Sequence, residues 1–314
     1  MALGVLLLGK GSMGVIHKKA YDSIPDMQCQ VWPERITQPR IQLAQAFQDE
    51  NVNIVDICLP SHLHAQVAEL ALEHGKHVFI EKPAVREWSE LERLRTAEQN
   101  AQAKVMVGHV LRYFPEYRLI LERAQAVGEY GMLLAKRRAK SPEGSGNWFL
   151  NTQQSGGIIL DLALHDIDFA RLLFGPVASV FAQTAGLNET YALITLHHEN
   201  RSVSHIEVSW MYTGGFHARV EVQVGGHHWS HDNHESNPMV VHADALTSVA
   251  AVEVPLTPFR EDPWTRQIKD FVRCIKEDTK SPISLHDAGE SLKVALAAIQ
   301  SARNKAPVSV SEVS

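Results

Sequence analysis

The sequence predicts two parts. The first is an α/β doubly wound parallel sheet, and the second is an α+β region built on a large, mostly antiparallel open sheet. Three observations carry this expectation. Short apolar runs alternate with amphipathic stretches through the first hundred residues, a glycine-rich turn follows the first of those runs, and after about Val110 the pattern changes to period-two alternation.

The apolar runs are Val5–Leu8, Cys29–Trp32, Ile54–Leu59, His77–Ile80 and Val105–Val107. Between them Met13–Tyr21, His64–Glu73 and Ser89–Ala103 read as helices, and Ser89 with Glu92 fits a capping box. Continuous apolar strands separated by helices are buried on both faces, and right-handed crossovers wind them into a parallel sheet. Beyond Val110, Phe114–Val127 reads as helix, Leu133–Arg138 as strand, Ser141–Ser155 as loop and Ile158–Phe174 as an apolar helix. From Val177 to about Val252 the residues alternate as antiparallel strands do, as in Val203–Trp210 and Val220–Val224, and Pro263–Lys276 and Leu285–Lys305 close the chain as helices.

The composition is that of a globular protein: 314 residues, 45% hydrophobic and 21% charged. A net charge of −6 gives no footprint for nucleic acid, and no apolar run approaches a bilayer span. The N-terminus lacks the features of a signal peptide, and Cys29, Cys58 and Cys274 have no paired spacing. Both read as a cytoplasmic protein with reduced thiols.

Gly9-Lys10-Gly11-Ser12-Met13-Gly14 is a G-x-G-x-x-G turn between a predicted strand and a predicted helix. The first glycine permits the tight turn, the second lets a pyrophosphate approach the backbone, and the third allows close helix–strand packing. The first part is therefore read as a Rossmann dinucleotide-binding domain over residues 1–111, with 112–314 as the second domain. The motif calls for an acidic residue about 20 positions on to hold the ribose hydroxyls. Glu34 stands there and favours NAD, while the adjacent Arg35 would accept the 2′-phosphate of NADP, and either is equally a solvated loop charge. NAD or NADP is the expected cofactor, with NAD preferred. The segment from Trp32 to Asn53 is short for a full helix and a further strand.

The run ending at Ile80 leads into Glu81-Lys82-Pro83. Open α/β sheets bind ligands beyond the carboxyl ends of their strands, where a lysine can hold a substrate oxygen or relay its proton. Taken alone, Lys82 is equally an ordinary strand-end lysine in solvent. In the apolar helix, Asp161 is the one polar residue between Ile158 and Leu164, and His165 follows at i+4. The pair shares a face, which Asp168 continues, so the carboxylate can orient an imidazole that takes a proton from an alcohol. A narrow polar stripe facing solvent explains the same residues equally well.

Together these motifs resemble one family, the glucose–fructose oxidoreductase / inositol dehydrogenase / rhizopine catabolism (Gfo/Idh/MocA) oxidoreductases. The resemblance runs in order through the glycine turn, Leu59-Pro60-Ser61-x-x-His64, Gly75-Lys76-His77-Val78, Glu81-Lys82-Pro83, Arg112-Tyr113-x-Pro115, Ser155-Gly156-Gly157 and Asp161-x-x-x-His165-Asp166, with Ser291–Ser301 resembling the closing helix. It implies a cofactor site drawing on Gly9, Gly11, Ser12, Met13, Gly14, Leu59, Pro60, His64, Glu81, Lys82 and Arg112. It implies that Lys82, Asp161 and His165 occupy catalytic positions: His165 as acid/base, Lys82 on the substrate oxygen, and Asp161 orienting the substrate or His165. The implied substrates are sugars, sugar derivatives and cyclitols. The chain departs from the family where Trp32–Asn53 is shorter, which leaves the cofactor preference open.

Two other functions fit parts of this pattern: a same-fold reductase of an imine or tetrapyrrole, and a non-catalytic nucleotide-binding sensor. The sensor has no need of Lys82, Asp161 and His165 together. His227, His228, His231 and His234 surround Trp229, but alternation would divide them between faces, so they read as surface or pocket histidines and no metal is expected. An open sheet with one apolar face needs cover, so a homo-oligomer, dimer or tetramer, is expected.

Overall fold

The computed structural model describes residues 2–141, 148–235, 239–242 and 261–313. The N-terminal elements alternate as β1 (Leu3–Leu8), α1 (Ser12–Asp22), β2 (Met27–Val31), α2 (Pro39–Phe47), β3 (Ile54–Ile57), α3 (His64–Glu73), β4 (His77–Glu81), α4 (Trp88–Asn100) and β5 (Val105–Gly108). There follow α5 (Pro115–Val127), β6 (Gly131–Arg138), α6 (Thr152–Ser155), α7 (Leu164–Phe174), β7 (Val177–Ala185), β8 (Tyr191–His198), β9 (Val203–Ser209), β10 (His217–Val224), β11 (His227–Asp232), β12 (Met239–His242), α8 (Pro263–Lys276), α9 (Leu285–Asn304) and β13 (Val308–Ser309).

Contacts divide the chain into two units, Met1–Tyr113 with Arg260–Glu290, and Phe114–Phe259 with Ser291–Ser314. The expected division placed all of 112–314 in the second domain. The difference lies in α8, whose apolar stripe, Ile268, Phe271 and Val272, is buried within the first unit, where α8 packs on α1. Amphipathicity requires a cover for that stripe without saying which part of the chain supplies it.

In the first unit five parallel strands run in the order β2-β1-β3-β4-β5. β3, β4 and β5 are buried along nearly their whole length, which explains their unbroken apolar character. The order reverses between β1 and β3, and such a switch point opens a crevice at the carboxyl ends of the strands. The short segment after β2 holds α2 and no strand, as its length predicts. The capping box of α4 is built from Glu87 and Glu90, not from Ser89 and Glu92, because the helix starts one residue earlier, at Trp88.

The second unit is an eight-stranded sheet in the order β12-β11-β10-β6-β9-β8-β7-β13. Only β6 and β9 pair in parallel, so the mostly antiparallel expectation holds. Burial alternates along β6, β8 and β10, and α5 and α7 pack on the buried face. The expected alternation to Val252 is seen as far as β12, and residues 243–252 lie outside the described residues.

One ion pair sits inside this second core. Arg137 of β6 donates through Nε and Nη2, each at 2.8 Å, to the two carboxylate oxygens of Asp166 on α7, and both side chains are buried. Removing one partner strands the other charge, at a cost of about 3–5 kcal/mol. Arg137→Met should therefore lower the urea-unfolding free energy by about that amount, and Arg137→Met with Asp166→Leu should recover most of it.

Candidate active site

The strands of the first unit all end on one edge, and the sequence-predicted residues of that unit follow their ends. Gly9 follows β1, Leu59 and Pro60 follow β3, Lys82 follows β4 and Arg112 lies in the 3₁₀ turn Val110–Tyr113 after β5. Glu34 and Arg35 lie in the loop after β2, both exposed. That loop is fastened by Gln42, whose Oε1 accepts the N–H groups of Thr37 and Gln38 and whose Nε2 donates to the Arg35 carbonyl at 3.0 Å. Lys10 reaches the same loop, its Nζ donating to the Pro33 carbonyl at 2.5 Å.

The three glycines of the turn divide by role. A Cβ on Gly9, which sits at φ +120°, would lie 2.3 Å from the Cys58 carbonyl oxygen, and one on Gly14 would lie 2.1 Å from the Gly9 oxygen. These two glycines let β1, β3 and α1 pack closely. A Cβ on exposed Gly11 would meet nothing within 4 Å. Gly11 is the N-cap of α1, and the first turn, beginning at Ser12 and Met13, holds no acidic residue. The leading N–H groups of that turn are thus presented to a phosphate with room for its approach. The residues present therefore fit a dinucleotide.

His64 requires a correction. It was expected to meet the cofactor, but its ring is buried, with Nδ1 2.8 Å from the Pro83 carbonyl and Nε2 2.8 Å from the Leu59 carbonyl. Both nitrogens are used in tying the loop after β3 to the turn after β4, so the ring bears on the site only through the backbone it fixes. Arg112 is held by an ion pair with Asp287 at the start of α9.

Beneath the glycine turn lies a buried polar cluster that the sequence reading missed. His17 of α1 is fully buried, with Nδ1 2.9 and 3.1 Å from the two oxygens of Asp56 and 3.3 Å from the Cys58 sulfur, while Nε2 lies 3.2 Å from Glu81 Oε1. Burial opposes charge on this ring, but the Asp56 carboxylate and the neighbouring Cys58 outweigh it and raise the His17 pKa well above its usual value. Among the described residues, His17, Asp56 and Cys58 form the one group of three donors close enough to share a metal ion. Burial first, and then Asp56, push the Cys58 thiol pKa well up, and a thiol held protonated is a poor ligand. A usable signal was present: Asp56 is the sole charge in a strand otherwise all apolar, and a buried charge demands a partner.

In the second unit, Asp161 and His165 do not lie on a regular α-helix. Ile159–Ala163 forms a π-helical turn, closed by the Leu164 N–H on the Ile159 carbonyl, and α7 begins at Leu164. Such turns are rare and concentrate at functional sites. Both side chains are partly exposed. Asp166 and Asp168, by contrast, are buried and structural: Asp166 receives Arg137, and Asp168 accepts the Ser291 hydroxyl at 2.7 Å. Asp168 therefore does not continue an exposed stripe. Of the expected loop before the turn, residues 142–147 lie outside the described residues, Trp148–Leu150 is a 3₁₀ turn, and Trp148 and Phe149 stack on each other at 3.8 Å.

The histidines of β11 divide as alternation predicts. His231 is buried edge-on to Tyr117 at 5.8 Å, His227 stacks on Trp229 at 5.6 Å, and exposed His234 stacks on His217 at 4.5 Å.

Comparison with known proteins follows this geometry. Residues 16–109 match the family described as oxidoreductase family, NAD-binding Rossmann fold, and residues 121–226 match the GFO/IDH/MocA C-terminal domain. An uncharacterized oxidoreductase of Bacillus subtilis (strain 168), YrbE, is 28% identical over 97% of this chain and 95% of its own length. The inositol 2-dehydrogenase of Rhizobium meliloti (strain 1021) is 23% identical over 97% of this chain and 98% of its own. Among solved structures, a levoglucosan dehydrogenase in complex with NADH and levoglucosan shares the fold, with a TM-score of 0.86 at 20% identity over 98% of this chain and 99% of that one.

The division among the glycines yields a prediction. Gly11→Val should leave the thermal midpoint within about 2 °C, since its side chain enters open space, and should abolish the fluorescence change on NADH addition. Gly14→Ala should instead lower the midpoint by several degrees, roughly 4 °C or more, because its Cβ meets backbone.

Proposed function

The chain belongs to the Gfo/Idh/MocA oxidoreductase family, and we propose that it oxidises a hydroxyl-bearing carbon of a sugar, sugar derivative or cyclitol, with NAD as the preferred partner. The observation that carries this reading is the placing of Lys82 on the same sheet edge as the glycine cradle. β1 and β4 are separated by β3 alone, so the two lie about 10 Å apart across the strands. A lysine so placed serves a substrate oxygen beside the nucleotide, and relatives named inositol and levoglucosan dehydrogenases support the substrate class.

When bound, the nicotinamide supplies the hydride-accepting chemistry. The chain's own residues handle the oxygen and its proton. Lys82 holds the hydroxyl oxygen and stabilises negative charge as it develops there. His165 takes the hydroxyl proton, and Asp161, one turn earlier, orients the ring or the substrate. Glu34, exposed after β2, is placed for ribose hydroxyls, which supports NAD over NADP. The three free thiols fit a reducing compartment such as the cytoplasm, and among the described residues no helix is long and apolar enough to cross a membrane.

We also assign the open face of the eight-stranded sheet to a second copy of this chain. Leu134 and Leu193 are 37% and 47% exposed there, on a shallow cavity of about 500 Å³ whose wall includes Phe181, Arg219 and Glu221. Apolar residues framed by charge are the composition of a protein interface.

An absorbance screen at the reduced-nicotinamide band, run with both cofactors against sugars, inositols and sugar acids, should give turnover with NAD. Lys82→Met should then reduce kcat by about 10²–10⁴-fold with NADH affinity within about threefold of wild type. Near-normal turnover would remove Lys82 from the mechanism, and a strong NADPH preference would overturn the reading of Glu34. Light scattering should find an oligomer, and Leu193→Glu should dissociate it. A monomeric wild type would refute the assigned face.

A further inference from the structure

We propose that His17 is a positioning residue for Lys82: its ring, wedged between the carboxylates of Asp56 and Glu81, fixes Glu81 beneath the end of β4 and offsets its charge beside the Lys82 ammonium. The inference rests on the reading of Lys82 as the residue that meets the substrate oxygen.

The geometry is a chain of contacts inside one unit. Nδ1 of His17 faces the Asp56 oxygens at 2.9 and 3.1 Å, and Nε2 faces Glu81 Oε1 at 3.2 Å. With an acceptor against each nitrogen, only the doubly protonated ring suits both sides. Glu81 carries the chain onward, since its Oε2 accepts the Lys82 backbone N–H at 3.1 Å. Glu81 is also confined from the side: a Cβ on Gly108, its neighbour across β5, would lie 2.9 Å from Oε1. The carboxylate thus has one oxygen on the imidazole and the other on the main chain of the residue proposed to act.

The titratable groups around the ring come from each neighbouring element: Tyr21 from α1, Cys29 from β2, Asp56 and Cys58 from β3 and the residue after it, and Glu81 from β4. Phe79 packs edge-on against the ring at 5.3 Å and is backed by Phe271 of α8 at 5.6 Å, so water has no ready path to the pair. Burial raises the pKa of the Tyr21 hydroxyl, with Asp56 adding to it, and burial of Cys29 raises its thiol to about 12. These groups stay neutral, which leaves His17 as the buried cation of the cluster. A neutral replacement removes that cation and leaves the Glu81 charge acting on Lys82 alone. Lys82 is then held more firmly as ammonium.

Acetylation with sulfo-N-hydroxysuccinimide acetate at pH 8, read on the full chain by peptide mass spectrometry, measures this without turnover. Only the neutral amine reacts, and exposed Lys305 serves as the internal standard. His17→Gln should slow acetylation of Lys82 relative to Lys305 by roughly threefold or more. In a Glu81→Gln background the same replacement should change the rate by less than about 1.5-fold, because the charge it acts through is gone. His17→Asn gives a second neutral variant should the first fold poorly. An unchanged Lys82 rate in folded His17→Gln, or an equal slowing in both backgrounds, overturns the proposal. The labelling decides this whether or not Lys82→Met loses turnover, so failure of the catalytic reading is seen separately.

Discussion

Burial of β3 on both faces sets the terms for what surrounds the nucleotide turn. Asp56 stands in that strand without water, so its charge is met by His17, and the second nitrogen of His17 is met in turn by Glu81. Three elements that have no other polar business with one another are thereby indexed to a common point. The same constraint forces glycine at positions 9 and 14, because β1, β3 and α1 approach too closely for a side chain. The order at the carboxyl edge is thus a consequence of charge and packing below it.

The second unit uses the same device in a different setting. Asp166 and Asp168 are buried on α7, one bound by Arg137 and the other by Ser291, while the neighbouring His165 stays partly exposed. The helix is fixed by the carboxylates that turn inward, and the imidazole between them is left for chemistry. The π-helical turn just before it adds a residue to the local repeat, which alters the direction in which Asp161 projects relative to a regular helix.

What could be read from the sequence was set by how local each requirement is. The glycine turn, the strand-end lysine and the alternating strands of the second unit each declare themselves within a few residues. His17 could not be read this way, because its partners lie 39 and 64 positions further on and meet it only through the sheet. The π-helical turn was hidden because Ile158–Leu164 is apolar at all positions but one, and such a run carries no period from which a wider turn can be told. His64 follows a related logic. Its place after β3 was legible, but the carbonyls that occupy both its nitrogens come from a loop and a turn that only the fold brings together.

The glycines of the turn answer to different masters. Gly9 and Gly14 are required by the protein itself, whatever it binds, whereas Gly11 is required by nothing in the folded chain. A descendant that lost its nucleotide while keeping its fold would hold the outer two and let the middle one drift. The middle glycine is therefore the position at which divergence among relatives separates a working nucleotide site from an inherited scaffold.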